Sequence, residues 1–250
     1  TNKIVFVFRE SGDVKYMAST GTMNYSSNTI DTWSADKYTI FTDNSEVQID
    51  TTTNTSKNLA YDPDTEKVIF AAFYNGSSMS YSAVAMTVNT NGSISMGSKF
   101  IINTDGNQPD GMTSIDYDAL HNKLLFTWRN YSSNSFFARS ANVASNGTIT
   151  GNNTLTIATN QSATACKWTT MSCDGNGLGA FFYSENSYGN IKLKIIKIAS
   201  NGTITLGSGT GDITYSGTLK PEYSVYDSQV KRVIMEFYAS SGDTKLISAK

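Results

Sequence analysis

Glu10, Asp13, Glu185, Glu236 and Asp243 are the carboxylates whose spacing could bring them to one rim, because each lies in or beside a loop that follows an apolar run. Two carboxylates facing one pocket are what glycoside hydrolysis needs, one as proton donor and one as nucleophile or base. Glu10, Glu185 and Glu236, however, close or interrupt strands whose counterparts elsewhere in the chain carry other residues. No pair is fixed by the pattern, and the chain is expected to have no catalytic residue and no enzymatic activity. His121, the single histidine, stands in "DALHNK" without anything like a nucleophile elbow around it. It reads as a solvated turn residue.

Metal and redox chemistry add little. Cys166 and Cys173 stand in "ACKWTTMSCDG"; one strand would hold them roughly 23 Å apart at ~3.3 Å per residue, beyond disulfide reach. Both read as small buried thiols, and a zinc site would need ligands that one histidine cannot complete. "YDPDTE" (61–66) and "NTDGNQPDG" (103–111) cluster oxygen ligands, but neither has the EF-hand spacing and both stand where turns are required. No metal and no cofactor is expected. With 16% charged residues and a net charge of −2, the chain lacks the basic face of a nucleic-acid binder. No apolar run reaches a membrane span and no signal peptide is visible, so no membrane insertion is expected. The first residue is Thr1, which suggests a processed start or an excised segment.

The elements that would position these residues are legible from a repeat. "NGTIT" stands at 146–150 and 201–205, and "NGSIS" at 91–95, an interval of 55 residues each time. Upstream of each copy runs an apolar stretch: "KVIFAAFY" (67–74), "KLLFTWRN" (123–130) and "LGAFFYSE" (178–185). "KIVFVFRE" (3–10) and "RVIMEFYA" (232–239) are two more. Four of the five are preceded by a short stretch ending in Asp62, Asp118, Asp174 or Asp227. Each unit therefore reads as four strands, a to d. Strand a ends at the Asp, b is the apolar run, c alternates, and the Asn-Gly turn leads to d. Asn-Gly between alternating runs predicts a type I′ hairpin, with positive φ at both central positions. The Asp is expected to accept a backbone N–H in the a–b turn.

Four antiparallel strands repeating every ~55 residues predict an all-β fold, a β-propeller of about five four-stranded blades. The units fall at approximately 1–50, 51–107, 108–162, 163–217 and 218–250, as one propeller domain or a segment of a larger ring. Strands b and c occur five times but a and d only four, so a ring closed within this chain needs an unusual last blade. The b strands should form the core, through Val5, Phe6, Ile69, Phe70, Leu125, Phe126, Phe181, Phe182, Ile234 and Met235.

The unit at 60–103 resembles a tandem repeat of structural proteins of tailed phages, marine ones in particular. Tyr61, Asp62, Lys67, Val68, Ile69, Asn75, Gly97 and Ser98 carry the match. The resemblance implies a virion tail-fibre or appendage protein at the virion surface, extracellular, with other virion proteins as partners and binding as its business. Sialidases, by contrast, are not resembled: "NTIDTWS" (28–34) keeps only the final Thr-Trp of their turn, and Arg9, Arg129, Arg139 and Arg232 are the only arginines.

Carbohydrate recognition suits the b–c loops, "YNGSSMSYS" (74–82), "RNYSSNSFF" (129–137), "YSENSYGN" (183–190) and "YASSGDTK" (238–245). Tyr, Asn and Ser combine flat apolar faces with fixed hydrogen-bonding groups, and repeated loops give avidity from weak sites. The candidate stacking rings are Tyr74, Tyr81, Trp128, Tyr131, Tyr183 and Tyr188. The expected function is noncatalytic adhesion to host-surface glycans; the alternatives are a propeller glycoside hydrolase or lyase, and a structural spacer.

Overall fold

The computed structural model describes residues 2–9, 15–41, 57–74, 80–103, 109–130, 132–159, 168–184, 190–214, 219–239 and 244–249. They form a five-bladed β-propeller of small antiparallel sheets in a ring, without helices. No helix among them is long and apolar enough to cross a membrane.

Blade 1 holds β1 (Lys3–Arg9), β2 (Tyr16–Asn24), β3 (Thr29–Trp33) and β4 (Tyr38–Phe41), with β3 and β4 sharing the outer edge of β2. Blade 2 holds β5 (Leu59–Asp62), β6 (Lys67–Tyr74), β7 (Ser80–Val88), β8 (Ile94–Met96) and β9 (Phe100–Ile101), where β8 and β9 share the outer edge of β7. That outer strand breaks at Gly97, where a Cβ would lie 2.4 Å from the Gly147 carbonyl oxygen of the next blade. Blade 3 runs β10 (Pro109–Asp118), β11 (Lys123–Asn130), β12 (Ser135–Val143) and β13 (Ile149–Ala158). Blade 4 runs β14 (Thr169–Cys173), β15 (Leu178–Ser184), β16 (Asn190–Ile198) and β17 (Ile204–Thr214). Blade 5 has β18 (Leu219–Asp227), β19 (Arg232–Ala239) and β20 (Thr244–Ala249).

The b strands of blades 2 to 4 are mostly apolar because both of their faces are covered. Phe181 points into the cluster shared with blade 3, and Phe182 into the one shared with blade 5. Every residue of β11 is buried. Four such clusters join blades 1–2, 2–3, 3–4 and 4–5. The expected core residues of blades 2 to 4 and Met235 are buried, whereas Val5, Phe6 and Ile234 of blades 1 and 5 are half-buried.

Three of the four a–b turns follow the expected chemistry, while Asp118 accepts from the His121 ring and from the Gly177 N–H of the next blade instead. Asp62 accepts from the N–H groups of Asp64 and Thr65, Asp174 from those of Asn176 and Leu178, and Asp227 from those of Gln229 and Val230. The c–d turns differ from the type I′ expectation. Gly92, Gly147 and Gly202 have φ of 88°, 84° and 84°, while the asparagines before them are not in the positive-φ region. The Gly147 N–H donates to the Ala144 carbonyl and the Ala144 N–H to that of Thr148. This is a type I turn followed by a left-handed glycine, a three-residue hairpin loop. Asparagine is there for its side chain: the Oδ1 atoms of Asn91, Asn146 and Asn201 accept from the N–H two residues on. In blade 1, Asn28 at φ 54° takes the place of the glycine.

These turns also latch one blade to the next. The Thr20 hydroxyl of β2 donates to the Gly92 carbonyl at 2.8 Å, and the Ser140 hydroxyl of β12 donates to that of Gly202. Near the axis, Asp116 of β10 accepts from the Lys57 ammonium at 2.7 Å and the Cys173 backbone N–H at 2.8 Å. One carboxylate thus ties three blades.

Candidate functional site

The a strands begin, and the b strands end, at one end of the ring, so the b–c loops all emerge there. Of the six rings expected to stack on sugars, Tyr131 and Tyr188 lie outside the described residues, and Tyr74 ends β6 with a side chain that is likewise not described. The other three are corrections. Tyr81 is 0% exposed, donates its hydroxyl to the Ser114 carbonyl at 3.2 Å and meets the Phe126 ring edge-on at 6.0 Å. Trp128 is buried and stacked on Phe137 at 5.7 Å. Tyr183 is buried and packs against Phe136 at 4.9 Å. A ring with no free face cannot stack on a sugar; these three weld blades together. The blade 3 loop is held from below, where buried Arg129 donates to Asn134 Oδ1 at 2.5 Å and Asn130 Oδ1 accepts from the Ser133 N–H.

His121 is a further correction. Its Nδ1 lies 2.8 Å from Asp118 Oδ2, and its side chain is only 20% exposed. Asp118 is fully buried and also accepts from the Gly177 N–H of blade 4. The pair pins the blade 3 turn onto its neighbour. Cys173 is a free buried thiol, pushed up in pKa by burial first and by the Asp116 carboxylate second; Cys166 lies outside the described residues.

What the loop-bearing end assembles is on blades 4 and 5. The Lys220 ammonium stands 4.5 Å from the ring centre of Trp168, just before β14, and 5.3 Å from that of Tyr238 at the end of β19. Cation–π attraction holds it between the two. Two residues on, the pairing of β18 with β19 shifts between Pro221 and Tyr223, leaving Glu222 as the extra residue of a bulge. Proline supplies no ladder N–H, so a bulge is where a strand tolerates it, and bulges re-aim side chains. Glu222 is half-buried, and its carboxyl is raised by burial first and by the Glu236 charge second, against the pull of Lys220.

Burial and the neighbouring Glu236 carboxylate both favour the protonated form of Glu222, the direction expected of a proton donor. Flanking aromatic faces and an ammonium suit a ligand with both apolar faces and oxygens. Of the five carboxylates singled out in the sequence, Glu236 is in this cluster; Glu10, Asp13, Glu185 and Asp243 lie outside the described residues. Trp168, Lys220, Glu222 and Tyr238 were not singled out. The signal was Pro221 inside a strand pattern, which marks a bulge.

No protein-family model and no curated protein matches the chain. Solved structures share its ring. The periplasmic gluconolactonase of Pseudomonas aeruginosa superposes with a TM-score of 0.57 at 11% identity, over 100% of this chain and 69% of that one. Prolyl oligopeptidase B of Galerina marginata does so at 0.50 and 8% identity, over 100% of this chain and 32% of that one. SapL1 lectin, in complex with alpha methyl fucoside, has a TM-score of 0.49 at 11% identity, over 99% and 76% of the two chains. These identities show the fold alone. They correct the expectation of a protein without activity: the gluconolactonase is an enzyme on this ring, so the architecture gives no ground for excluding catalysis.

Proposed function

We propose that the protein recognises carbohydrate at the loop-bearing end of the ring, on blades 4 and 5. The observation that carries this reading is the grouping of Trp168, Lys220 and Tyr238 with the carboxyl pair Glu222 and Glu236. Aromatic faces supply stacking, the carboxyls accept from sugar hydroxyls, and the Lys220 ammonium favours an acidic sugar. Tyr74, Tyr131 and Tyr188 are kept as candidate stacking rings on the ground of the sequence pattern alone. The finer reading is host-surface adhesion by a virion appendage, outside the cell, with virion proteins and host glycans as partners. It rests on the resemblance of the repeat unit alone. A second reading, glycoside cleavage, is favoured by the raised Glu222 carboxyl beside Glu236.

The test is binding to an array of neutral and acidic polysaccharides, alongside release of reducing sugar. The parent should bind an acidic glycan, and Trp168→Ala and Lys220→Ala should each weaken binding about tenfold, as loss of a contact of ~1.4 kcal/mol does. Sugar release abolished by Glu222→Gln would establish cleavage. Binding that survives both blade 4–5 substitutions would place recognition elsewhere.

A further inference from the structure

The sequence "ASNGTIT" occurs twice, at 144–150 and 199–205, and both copies form the same c–d turn. Asparagine before glycine is the pair most open to attack of the backbone on the side-chain amide, because glycine has no Cβ to keep its nitrogen away. Gly92 and Gly177 also follow an asparagine, while Asn75 and Gly76 lie outside the described residues. Asn91, Asn146, Asn176 and Asn201 are exposed to water, and the glycines after them are buried.

Each of these glycine nitrogens is already committed. Those of Gly147 and Gly202 donate to the Ala144 and Ala199 carbonyls at 2.8 Å, and that of Gly92 to the Asn89 carbonyl at 2.9 Å. The Gly177 nitrogen donates to the buried Asp118 carboxylate at 2.8 Å. A nitrogen so held reaches the amide carbon of its asparagine only when the turn opens, and the rate follows the cost of that opening.

What keeps the c–d turns closed differs between blades. Thr20, Ala85 and Ser140 are equivalent residues of their c strands, paired with Val5, Ile69 and Leu125, the third residue of each b strand. Thr20 donates its hydroxyl to the Gly92 carbonyl and Ser140 to that of Gly202. Ala85 stands beside Gly147 and has no hydroxyl to give. The side chains differ as well. Asn91 Oδ1 accepts from both the N–H and the hydroxyl of Ser93, whereas Asn146 Oδ1 accepts, among the described residues, from the Thr148 N–H only.

We propose that Asn146 is the site at which the folded protein deamidates, and that the interblade hydroxyls of Thr20 and Ser140 protect its counterparts Asn91 and Asn201. In the opened turn the Gly147 nitrogen gives its proton to solvent and bonds to Asn146 Cγ. The side-chain nitrogen takes up a proton and leaves as ammonia. Water then opens the cyclic imide, at one carbonyl to aspartate and at the other to isoaspartate. Aspartate keeps an oxygen for the Thr148 N–H, but isoaspartate adds a methylene to the backbone of the turn. There is no slack for it, because the Gly147 carbonyl packs on Gly97 of blade 2, where even a Cβ would lie 2.4 Å away. Isoaspartate at 146 therefore loosens the seam between blades 2 and 3. The proposal stands on the turns and is independent of the sugar reading.

The test incubates the whole folded chain at mildly alkaline pH, with peptide mass spectrometry for conversion and enzymatic methylation for isoaspartate. Asn146 should convert about three- to tenfold faster than Asn201, the factor that one hydrogen bond is worth, although the residues around the two are the same. In denaturant the two should convert at one rate. Ser140→Ala should raise Asn201 to the rate of Asn146, and Ala85→Ser, which offers Gly147 a hydroxyl, should slow Asn146. Melting temperatures of both variants check that the rates belong to folded protein. That of the aged parent should fall as isoaspartate accumulates at 146, and should hold in Asn146→Ser. Equal rates at Asn146 and Asn201 in the folded protein would overturn the proposal. So would a difference that persists in denaturant, or an Asn201 rate indifferent to Ser140→Ala. Isoaspartate at 146 without loss of melting temperature would overturn the loosened seam.

Discussion

The glycine of each c–d turn shows how one residue serves both chain reversal and assembly. At φ 84° neither Gly147 nor Gly202 can be replaced by a β-branched residue without strain. A Cβ on Gly202 would also lie 2.3 Å from Asn152 Nδ2, while at Gly147 the nearest atom would be at 3.4 Å. Both Gly147→Val and Gly202→Val should lose ~1 kcal/mol or more in denaturant unfolding, with Gly202→Val the worse. Equal losses would show that the neighbouring blade yields freely. Tyr81 and Trp128, buried at 0% and 1% exposure, belong to the same scale. Alanine at either should cost about 3–5 kcal/mol, and a melting temperature unchanged in both variants would contradict their packing role. Glu222 makes a pH prediction. Its carboxyl is raised above the ordinary 4.5 by burial, then by Glu236. The native state therefore keeps a proton that the unfolded chain has released, so this contribution to stability is present at low pH and lost as pH rises from about 4.5 upward. Glu222→Gln should flatten that decline in a series of denaturant midpoints; a slope unchanged by the substitution would mean that another group sets it.

At the scale of the element, what could be read in the sequence depended on whether an interaction was local. The Asp-capped a–b turns and the doubly apolar b strands follow from neighbours in the chain, and so could be read from spacing alone. The turn type could not, because Asn-Gly suits two hairpin geometries, and the same turn forms at Gly147 without the hydroxyl latch that Gly92 and Gly202 receive. Sequence position also misjudged the aromatic residues. Tyr81 and Trp128 stand beside polar loops, yet strand pairing carries both inward, Tyr81 opposite Phe73 and Trp128 opposite Phe137. His121 was read as solvated because its partner Asp118 is committed to Gly177 of the following blade, 59 residues away from that aspartate in the chain. The carboxyl pair was half visible: Glu236 stood out beside a loop, but only the bulge after Pro221 brings Glu222 to it.

On the scale of the whole molecule, packing is graded rather than uniform around the ring. Among the described residues, blades 2, 3 and 4 are covered on both faces, and blades 1 and 5 each share one cluster. All eight residues of β11 are buried, whereas β20 carries Leu246 at 72% exposure. Local opening follows such differences, since segments with few buried apolar contacts open at lower free energy than the global transition. Native-state hydrogen exchange should therefore rank the strands by blade. Amides of β11 and β15 should exchange only through global unfolding, with denaturant slopes matching the full transition. Those of β3 and β20 should exchange through smaller openings at low denaturant. Loss of blade 5 as a unit should appear as β18, β19 and β20 sharing one slope, because among the described residues their only cluster is the one with blade 4. If β20 instead exchanged in step with β11 at every denaturant concentration, the ring would be one cooperative body despite its graded packing.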